Sequence, residues 1–502
     1  MKKREKLHLR ILCVIIMCAI LLPIVSSCAD DAASNDPSDT KATVDGETVA
    51  EETPTGAEQY DPKLPEKDYG GYEFRIVTRD DAMHPYPMHT RDVMAEELTG
   101  LGINDVVYYR NLAVEEKYNI KVKMEMHSET ANENTSNTLV ENSVMAGADD
   151  FDLLLTHMIN GGTSALKNVF LNWNVIPHID FEKPYWNQSA YEAFSVGEKT
   201  YLALSDMCVS SNDNTHCMIF NKKLAEETGI ENLYDLVYNN QWTFDKFRQL
   251  VSDVSFDVNG DSKMDANDVY GHLIAGTSGI LNWLYAAGQL ITTKDENNYP
   301  TLTMYNETTV AAYDFIYELA MSEDSFTTSS WVETNGINMF IADQALIMST
   351  QVGMIEHLRN MDSDFGILPY PKFSESQENY AHYVDGHATI MAIPKTVQDQ
   401  ERTGIFLEQM AYESFRTVLP QYYDVMMMNK YVRDEDSKAM FEIVYNTRTF
   451  DFAYVYDGWN LAFAFSNLIA QKNENFTSYY TKMEKIENIN IDKAIKQYDE
   501  GD

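Results

Sequence analysis

The chain is poor in basic residues, poor in cysteine, and holds no apolar run long enough to span a bilayer. Its 38 Lys and Arg stand against 78 Asp and Glu, a formal net charge of −40, which excludes the clustered cations that nucleic-acid phosphates require. With 5 cysteines in 502 residues, no disulfide framework organises the fold. The longest apolar stretch, Ile11 to Val25, falls short of the roughly twenty residues of a transmembrane helix. Enzyme signatures are missing as well: there is no G-x-S-x-G, no H-E-x-x-H, no P-loop and no strand-following G-x-G-x-x-G. The segment "NGGTSA" at Asn160–Ala165 offers backbone amides without a phosphate-binding lysine. Acidic pairs of the glycosidase kind are so abundant that none stands out, so catalysis is not expected.

What is present at the amino terminus speaks for export. Lys2, Lys3, Arg4, Lys6 and Arg10 precede the apolar run, and Val25-Ser26-Ser27-Cys28 follows it, the order of a signal segment with a small-residue exit. These four residues resemble a bacterial lipobox, which implies cleavage before Cys28 and lipid on its thiol. Loss of residues 1–27 leaves 33 basic against 77 acidic residues. The next segment, 28–68, is rich in Asp, Glu, Ser, Thr, Pro and Ala; it buries too little apolar surface to fold alone and reads as a disordered acidic tether. Only Cys208 and Cys217 remain in the body, and the sequence leaves open whether they pair.

The body of over 430 residues exceeds what one core usually serves, so two lobes are expected. "YEFRIVT" (Tyr72–Thr78), "IKVKMEMH" (Ile120–His127) and "FDLLLTH" (Phe151–His157) read as strands, separated by helical stretches near Asp105–Tyr118 and Asn132–Met145. This β-α-β-α-β order argues for a mainly parallel sheet under helices, an α/β fold. Thr243 caps a helix whose Phe247, Leu250, Val251 and Val254 share one face, and a second helix is expected near Thr308–Met321. Further strands are expected at Ala345–Thr350, Phe365–Pro371 and Ala388–Pro394.

The pieces "GEKTYLALSD", "MIFNKKLAEETGI", "WTFDKFRQLV", "FIADQALIMST", "DFGILPYPKF" and "ATIMAIPKTVQDQERTGIFLEQMAYES", in this order, resemble the extracellular solute-binding proteins of ATP-driven (ABC) importers, family 1, the carbohydrate type that Gram-positive bacteria anchor as lipoproteins. The resemblance implies a two-lobed, periplasmic-binding-protein-like (type II) α/β fold with hinge-crossing segments and a central ligand cleft. Lobe one would take residues 69–210 and 345–393, and lobe two residues 211–344 and 394–502. It implies a monomeric receptor on the extracellular face of the cell membrane, held by its lipid, with a sugar or other small solute as ligand and the importer's membrane subunits as partner. Hinge closure would signal the bound state. A carbohydrate-active hydrolase and a surface scaffold or adhesion protein are the alternatives.

A sugar needs flat aromatic platforms with polar side chains at their rim. The resemblance implies cleft-facing residues after the strand ends of the first lobe, which would place Asp80, Asp81, Thr156, His157 and Asn160 there, and the first crossing, "SSNDNTH", would bring Asn212 and Asp213 to the hinge mouth. Trp283, Gln351 and Trp459 stand where the resemblance implies a stacking ring or polar contact, whereas Trp242 beside its helix cap reads as core.

One loop stands apart. In "DVNGDSKMDAND", Asp257, Asn259, Asp261, the Lys263 carbonyl, Asp265 and Asp268 occupy positions one, three, five, seven, nine and twelve of a calcium loop. Ser262 replaces the usual turn glycine, and Asp268 is shorter than the usual glutamate. A structural Ca2+ distant from the cleft is expected here.

Overall fold

The structure, a computed structural model, describes residues 56–80, 89–100, 102–127, 134–230, 232–252, 254–274, 278–327, 334–428, 434–456 and 460–501. The export segment, Cys28, the tether up to residue 55, Asp81 and Trp459 lie outside the described residues. No helix among those described is long and apolar enough to cross a membrane.

In chain order the strands are β1 (Tyr72–Arg79), β2 (Ile120–His127), β3 (Leu153–His157), β4 (His216–Asn221), β5 (Tyr270–Ile274), β6 (Thr292–Lys294), β7 (Pro300–Leu302), β8 (Ser325–Thr327), β9 (Ala345–Gln351), β10 (Phe365–Leu368), β11 (His382–Tyr383), β12 (Thr389–Ala392) and β13 (Arg448–Thr449). A first sheet has the order β12-β3-β1-β2. Within it β1 runs parallel to β2 and β3, and β12 runs antiparallel to β3. Helices cover this sheet, so its central strands read as apolar runs: Phe74, Ile76, Val77 and Leu153 to Leu155 are all buried. Edge strand β2 exposes Lys121, Lys123 and Glu125, charges that discourage pairing with another chain.

A second sheet has the order β10-β4-β9-β5-β8. Here β4 is antiparallel to both neighbours, whereas β5 is parallel to β9 and β8. The helix Phe244–Val251 starts at Thr243, whose side chain accepts from the Lys246 amide, as its sequence predicts. Phe247 and Val251 of that helix are buried.

Three expectations need correction. Residues 345–368 do not join the first lobe: β9 pairs with β4 and β5, and β10 pairs with β4. The helix Gln400–Glu413, expected in lobe two, packs on the first sheet, where Phe406 stacks on Phe74 with centroids 4.0 Å apart. Apolar patterns mark a strand or a helix but not the sheet it will join, because the pairing is decided by residues far away in sequence. Third, the tether ends sooner than residue 68. Ala57 is buried, Tyr60 sets its ring edge-on to Phe415 at 6.0 Å, and Lys67 pairs with Glu401 at 3.3 Å.

The chain passes between the halves at several points that lie side by side. Thr215 bridges Val384, while β11 and β13 pair in parallel as His382 with Arg448 and Tyr383 with Thr449. Cys208 and Cys217 beside the first crossing are buried and form no disulfide. Burial first of all pushes the Cys208 thiol well above its ordinary range, so it is held as an unreactive S–H.

Candidate functional site

Parallel strands deliver their carboxyl ends to one edge of a sheet, and in open α/β sheets ligands gather beyond that edge. In the first sheet β1 ends at Arg79, β3 ends at His157, and the antiparallel β12 begins just after His387. In the second, β4 begins at His216, opposite Gln351 at the end of β9. The two edges meet where the Asp385 amide donates to the Asn214 carbonyl at 2.9 Å.

Around that meeting point the side chains form one polar cluster. His387 Nδ1 lies 2.6 Å from Asp385 Oδ1, and the His387 amide donates to the same oxygen at 3.0 Å. His216 Nε2 stands 4.0 Å from Asp385 Oδ2 and 3.4 Å from Gln351 Nε2. Arg79 donates from its guanidinium to the His387 carbonyl. The His157 ring sits edge-on to the His387 ring, centroids 4.9 Å apart. Burial would raise the Asp385 carboxyl, yet the His387 and His216 imidazoles hold it well below the usual carboxylate range. It is therefore an ionised acceptor serving two imidazoles.

Gly386 allows this packing. A Cβ there would meet Ile159 Cδ1 and Tyr454 Oη at 2.8 Å and His157 Cε1 at 3.0 Å, so any larger residue pushes the 385–387 segment away from His157 and the first sheet. The Tyr454 hydroxyl accepts from the Tyr383 hydroxyl and from the Gly386 amide, the latter at 2.8 Å. Tyr383 in turn lies between stacked neighbours, Tyr285 at 5.4 Å and His216 at 5.1 Å. Gly162 is required in the same way, since its Cβ would fall 2.1 Å from the Val455 carbonyl oxygen.

The sequence-predicted residues divide around this cluster. Asp80 follows β1, and its amide donates to the His127 carbonyl at 2.9 Å. His157 caps the helix Met158–Ala165 by accepting the Ile159 amide on Nδ1 at 3.2 Å. Gln351 joins the cluster beside His216. Thr156 is buried and donates to Asn137 Oδ1 at 2.6 Å, and the Asn160 carbonyl accepts from the same Asn137 at 3.2 Å. Asn212 is buried and takes the Arg448 guanidinium on Oδ1. Asp213 is wholly buried in an ion pair with Arg91 at 2.6 Å and accepts the Tyr422 hydroxyl at 2.9 Å, so it braces the joint between the halves. Asp81 and Trp459 fall outside the described residues.

Trp283 is a correction. It is fully buried, ringed by Phe244, Phe247, Phe315 and Tyr370 at centroid distances of 4.9 to 5.6 Å. It belongs to the second core because every residue of its helix, Ser278–Ala286, is buried. A ring on a helix buried on every side has no wet face to offer. Sequence reasoning missed Arg79, His216, Asp385 and His387. The signal was "DGH" directly before the apolar run of β12, a glycine with polar neighbours at a strand start.

The acidic loop has the backbone of a metal loop but not the convergence. Gly260 and Ser262 both take left-handed φ, 74° and 66°, so Ser262 adopts the turn where glycine is usual. The oxygens, however, hold amides: Asp257 accepts from Gly260 and Ser262 at 2.7 Å, Asn259 from Asp261 at 2.8 Å, Asp261 from Lys263 at 2.9 Å, and Asp268 from Asp265 at 2.8 Å. Among the described residues no group of three or more His, Cys, Asp or Glu is placed to hold a metal ion. In this structure the loop's side-chain oxygens hold their own backbone amides.

No family profile matches the chain, and no curated protein is similar in sequence. Solved structures are similar in fold. An ABC substrate-binding protein of Listeria monocytogenes, solved with cycloalternan, is 14% identical with a TM-score of 0.52, covering 85% of this chain and 99% of that one. The galacto-N-biose and lacto-N-biose I binding protein of Bifidobacterium longum, solved with lacto-N-biose, is 11% identical with a TM-score of 0.54, covering 84% and 99%. UgpB of Mycobacterium tuberculosis, solved with glycerophosphocholine, is 14% identical with a TM-score of 0.53, covering 84% and 99%. The fold is therefore the two-lobed α/β fold of the solute-binding proteins, as the sequence pieces imply.

Proposed function

We propose that the protein is a receptor that captures an oligosaccharide between its halves and passes it, unaltered, to the membrane subunits of an ABC importer. The observation that carries this reading is the polar cluster of Arg79, His157, His216, Gln351, Asp385 and His387 where the strand ends of both sheets meet, in a fold whose solved relatives hold small polar solutes at low identity. Closure of the halves would convert capture into a shape the importer reads. Cleavage before Cys28 and its lipidation would keep the receptor at the extracellular face of the membrane, as a monomer. Turnover of the ligand is not part of the proposal.

A second reading is a smaller polar solute. It is favoured by the burial of Trp173, Trp186, Trp242 and Trp283, which leaves no described tryptophan to stack on a sugar face. Calorimetry against maltotriose, lacto-N-biose, cycloalternan and glycerophosphocholine decides between the two readings. Binding of a glycan without release of reducing sugar supports the first, and binding of glycerophosphocholine alone supports the second. Steady release of reducing ends would overturn both in favour of a hydrolase. The proposal also includes a structural Ca2+ on the 257–268 loop, supported by the ligand spacing and the left-handed Ser262. It requires the carboxylates to exchange amides for metal.

A further inference from the structure

The helix Phe452–Tyr456 divides its residues between two places. Tyr454 serves the joint, where its hydroxyl accepts from Tyr383 and from the Gly386 amide, and the Val455 carbonyl lies against Gly162 of the helix Met158–Ala165. Phe452, Ala453 and Tyr456 instead line a cavity of about 160 Å3. Carbon makes most of its wall: Leu166, Ile291, Leu302 and Ile491 close it together with the Phe452 and Tyr456 rings, whose centroids are 4.4 Å apart. Tyr456 sends its hydroxyl elsewhere, donating to the Phe194 carbonyl at 3.0 Å. Ala453 and Ala494 are wall residues too, and their short side chains leave the space open. The polar lining comes from one element, with Glu487, Asn490 and Lys493 at three-residue steps along the helix Phe476–Glu500. Lys493 is exposed and Leu166, Leu302 and Asn490 are half-buried, so the cavity has a mouth to solvent.

A water held in a cavity needs several polar partners, whereas a cavity of about 150 Å3 walled by Leu, Ile and Phe stays dry and takes benzene or xenon. An apolar guest gains dispersion contacts that such walls otherwise lack. We infer that this cavity is a second binding site, for a compact apolar molecule the size of benzene, and that a guest there steadies the helix Phe452–Tyr456 and the joint it serves. The site shares no residue with the polar cluster at the strand ends, and only its effect on sugar affinity rests on the receptor reading. The link follows from the helix itself. At 5 residues it is too short to hold its own shape, so packing on its faces decides how firmly it sits. Contacts added on the cavity side leave Tyr454 and Val455 less freedom on the other, and a ligand that must order them afterwards meets a smaller entropic cost.

Benzene is the probe. In calorimetric scans of the full chain, saturating benzene should raise Tm by about 1–2 °C, and Ala494→Phe, which fills the space, should remove that rise. Ala453→Leu is the second filling variant, used if Ala494→Phe does not fold. The absence of any benzene-dependent rise in the parent protein overturns the site. A rise that survives the filling variant overturns it as well, because benzene then binds elsewhere. The link to the joint is read at the Gly386 amide, whose hydrogen exchange should slow severalfold with benzene bound. Benzene that raises Tm while leaving Gly386 exchange unchanged overturns the link. Maltotriose and lacto-N-biose complete the test: the affinity of the sugar that binds should strengthen by about fivefold with benzene present, a gain that Ala494→Phe no longer shows. Equal sugar affinity with and without benzene overturns the effect on the cleft and leaves the receptor reading intact. Failure of every sugar to bind overturns the receptor reading, while the cavity stands or falls on Tm and exchange.

Discussion

Two acidic regions of the molecule use the same side chain in opposite ways. In the 257–268 loop, Asp257 is held below its ordinary range, chiefly by the Ser262 amide, and its neighbours are wet. At the joint, Asp213 has no exposed surface, and burial more than anything else raises its carboxyl despite Arg91. Arg91 also reaches Glu356 at 2.6 Å, so one guanidinium from the helix His89–Asp92 ties the first crossing to the segment after β9. Water and amides stabilise the loop one residue at a time, whereas the joint holds only as a set of mutually dependent charges. Carboxylate density in a sequence therefore says little about where charge is structurally costly.

The largest effect expected from this comparison is at Arg91 and Asp213. Removing one partner leaves the other buried without its match, which typically costs about 3–5 kcal/mol. Asp213→Ala should accordingly lower the midpoint of urea unfolding far more than any change in the loop. Replacing both, as Arg91→Met with Asp213→Leu, should recover much of that loss. If Asp213→Ala unfolds at the parent midpoint, the joint is not a coupled set and the contrast disappears.

A second prediction uses pH. Asp92, buried and bonded to Ser210 at 2.5 Å and 2.8 Å, is pushed up to about 7 by burial. Burial likewise raises Asp206 and Glu408 to about 7 and Asp451 to about 6. A carboxyl with a raised folded-state value binds more protons folded than unfolded, so its stability is present in acid and lost as pH rises through that value. His272 and His382 work in the other direction. Burial lowers both to about 3, so their share is present at neutral pH and lost below about 6.5 as the unfolded chain takes up protons. Above pH about 6.5 the histidine terms fade and the carboxyls dominate, until near pH 8 Lys294, lowered to about 8 by burial, begins to work against them. Calorimetric Tm should fall from pH 6.5 to about 7.5, and Asp92→Asn should flatten that fall. A Tm that rises across this window contradicts the assignment.

Core rather than cleft is the sharper test of Trp283. Trp283→Ala should cost about 3–5 kcal/mol as a large-to-small core change, measured by denaturant unfolding. Loss of sugar affinity at unchanged stability would restore it as a platform.

Strands and caps could be read locally because their signals are local. The apolar run of β3, the period-two pattern of β2 and the Thr243 cap all depend on residues within a few positions. Sheet membership could not be read this way: β9 is buried along nearly its whole length and would suit either sheet until its pairing with β4 is known. Of the candidate cluster, His157 was legible from its strand end and Gln351 from the family resemblance. Asp385 and His387 escaped because their meaning lies in His157 and His216, far away in sequence. Trp283 was misread because one tryptophan fits a core and a platform equally until the rest of its helix is placed.

The smallest expected effect tests the loop itself. Without metal, Asp257 and Asp261 hold only amides that water can also satisfy, so the double change to Ala should move Tm by less than about 1 °C. Calcium changes this expectation. An ion that binds the folded loop but not the unfolded chain raises Tm as its concentration passes the dissociation constant, and a chelator reverses the rise. Asp257 and Asp261 stand at the first and fifth positions of the loop, so the double variant should abolish the calcium response while leaving the chelated Tm unchanged. If calcium produces no shift in the parent protein, the loop is a self-satisfied turn, and its aspartates serve only to hold Gly260 and Ser262 in their left-handed conformations. If the double variant destabilises the chelated protein as much as Asp213→Ala does, exposure does not separate the two acidic regions.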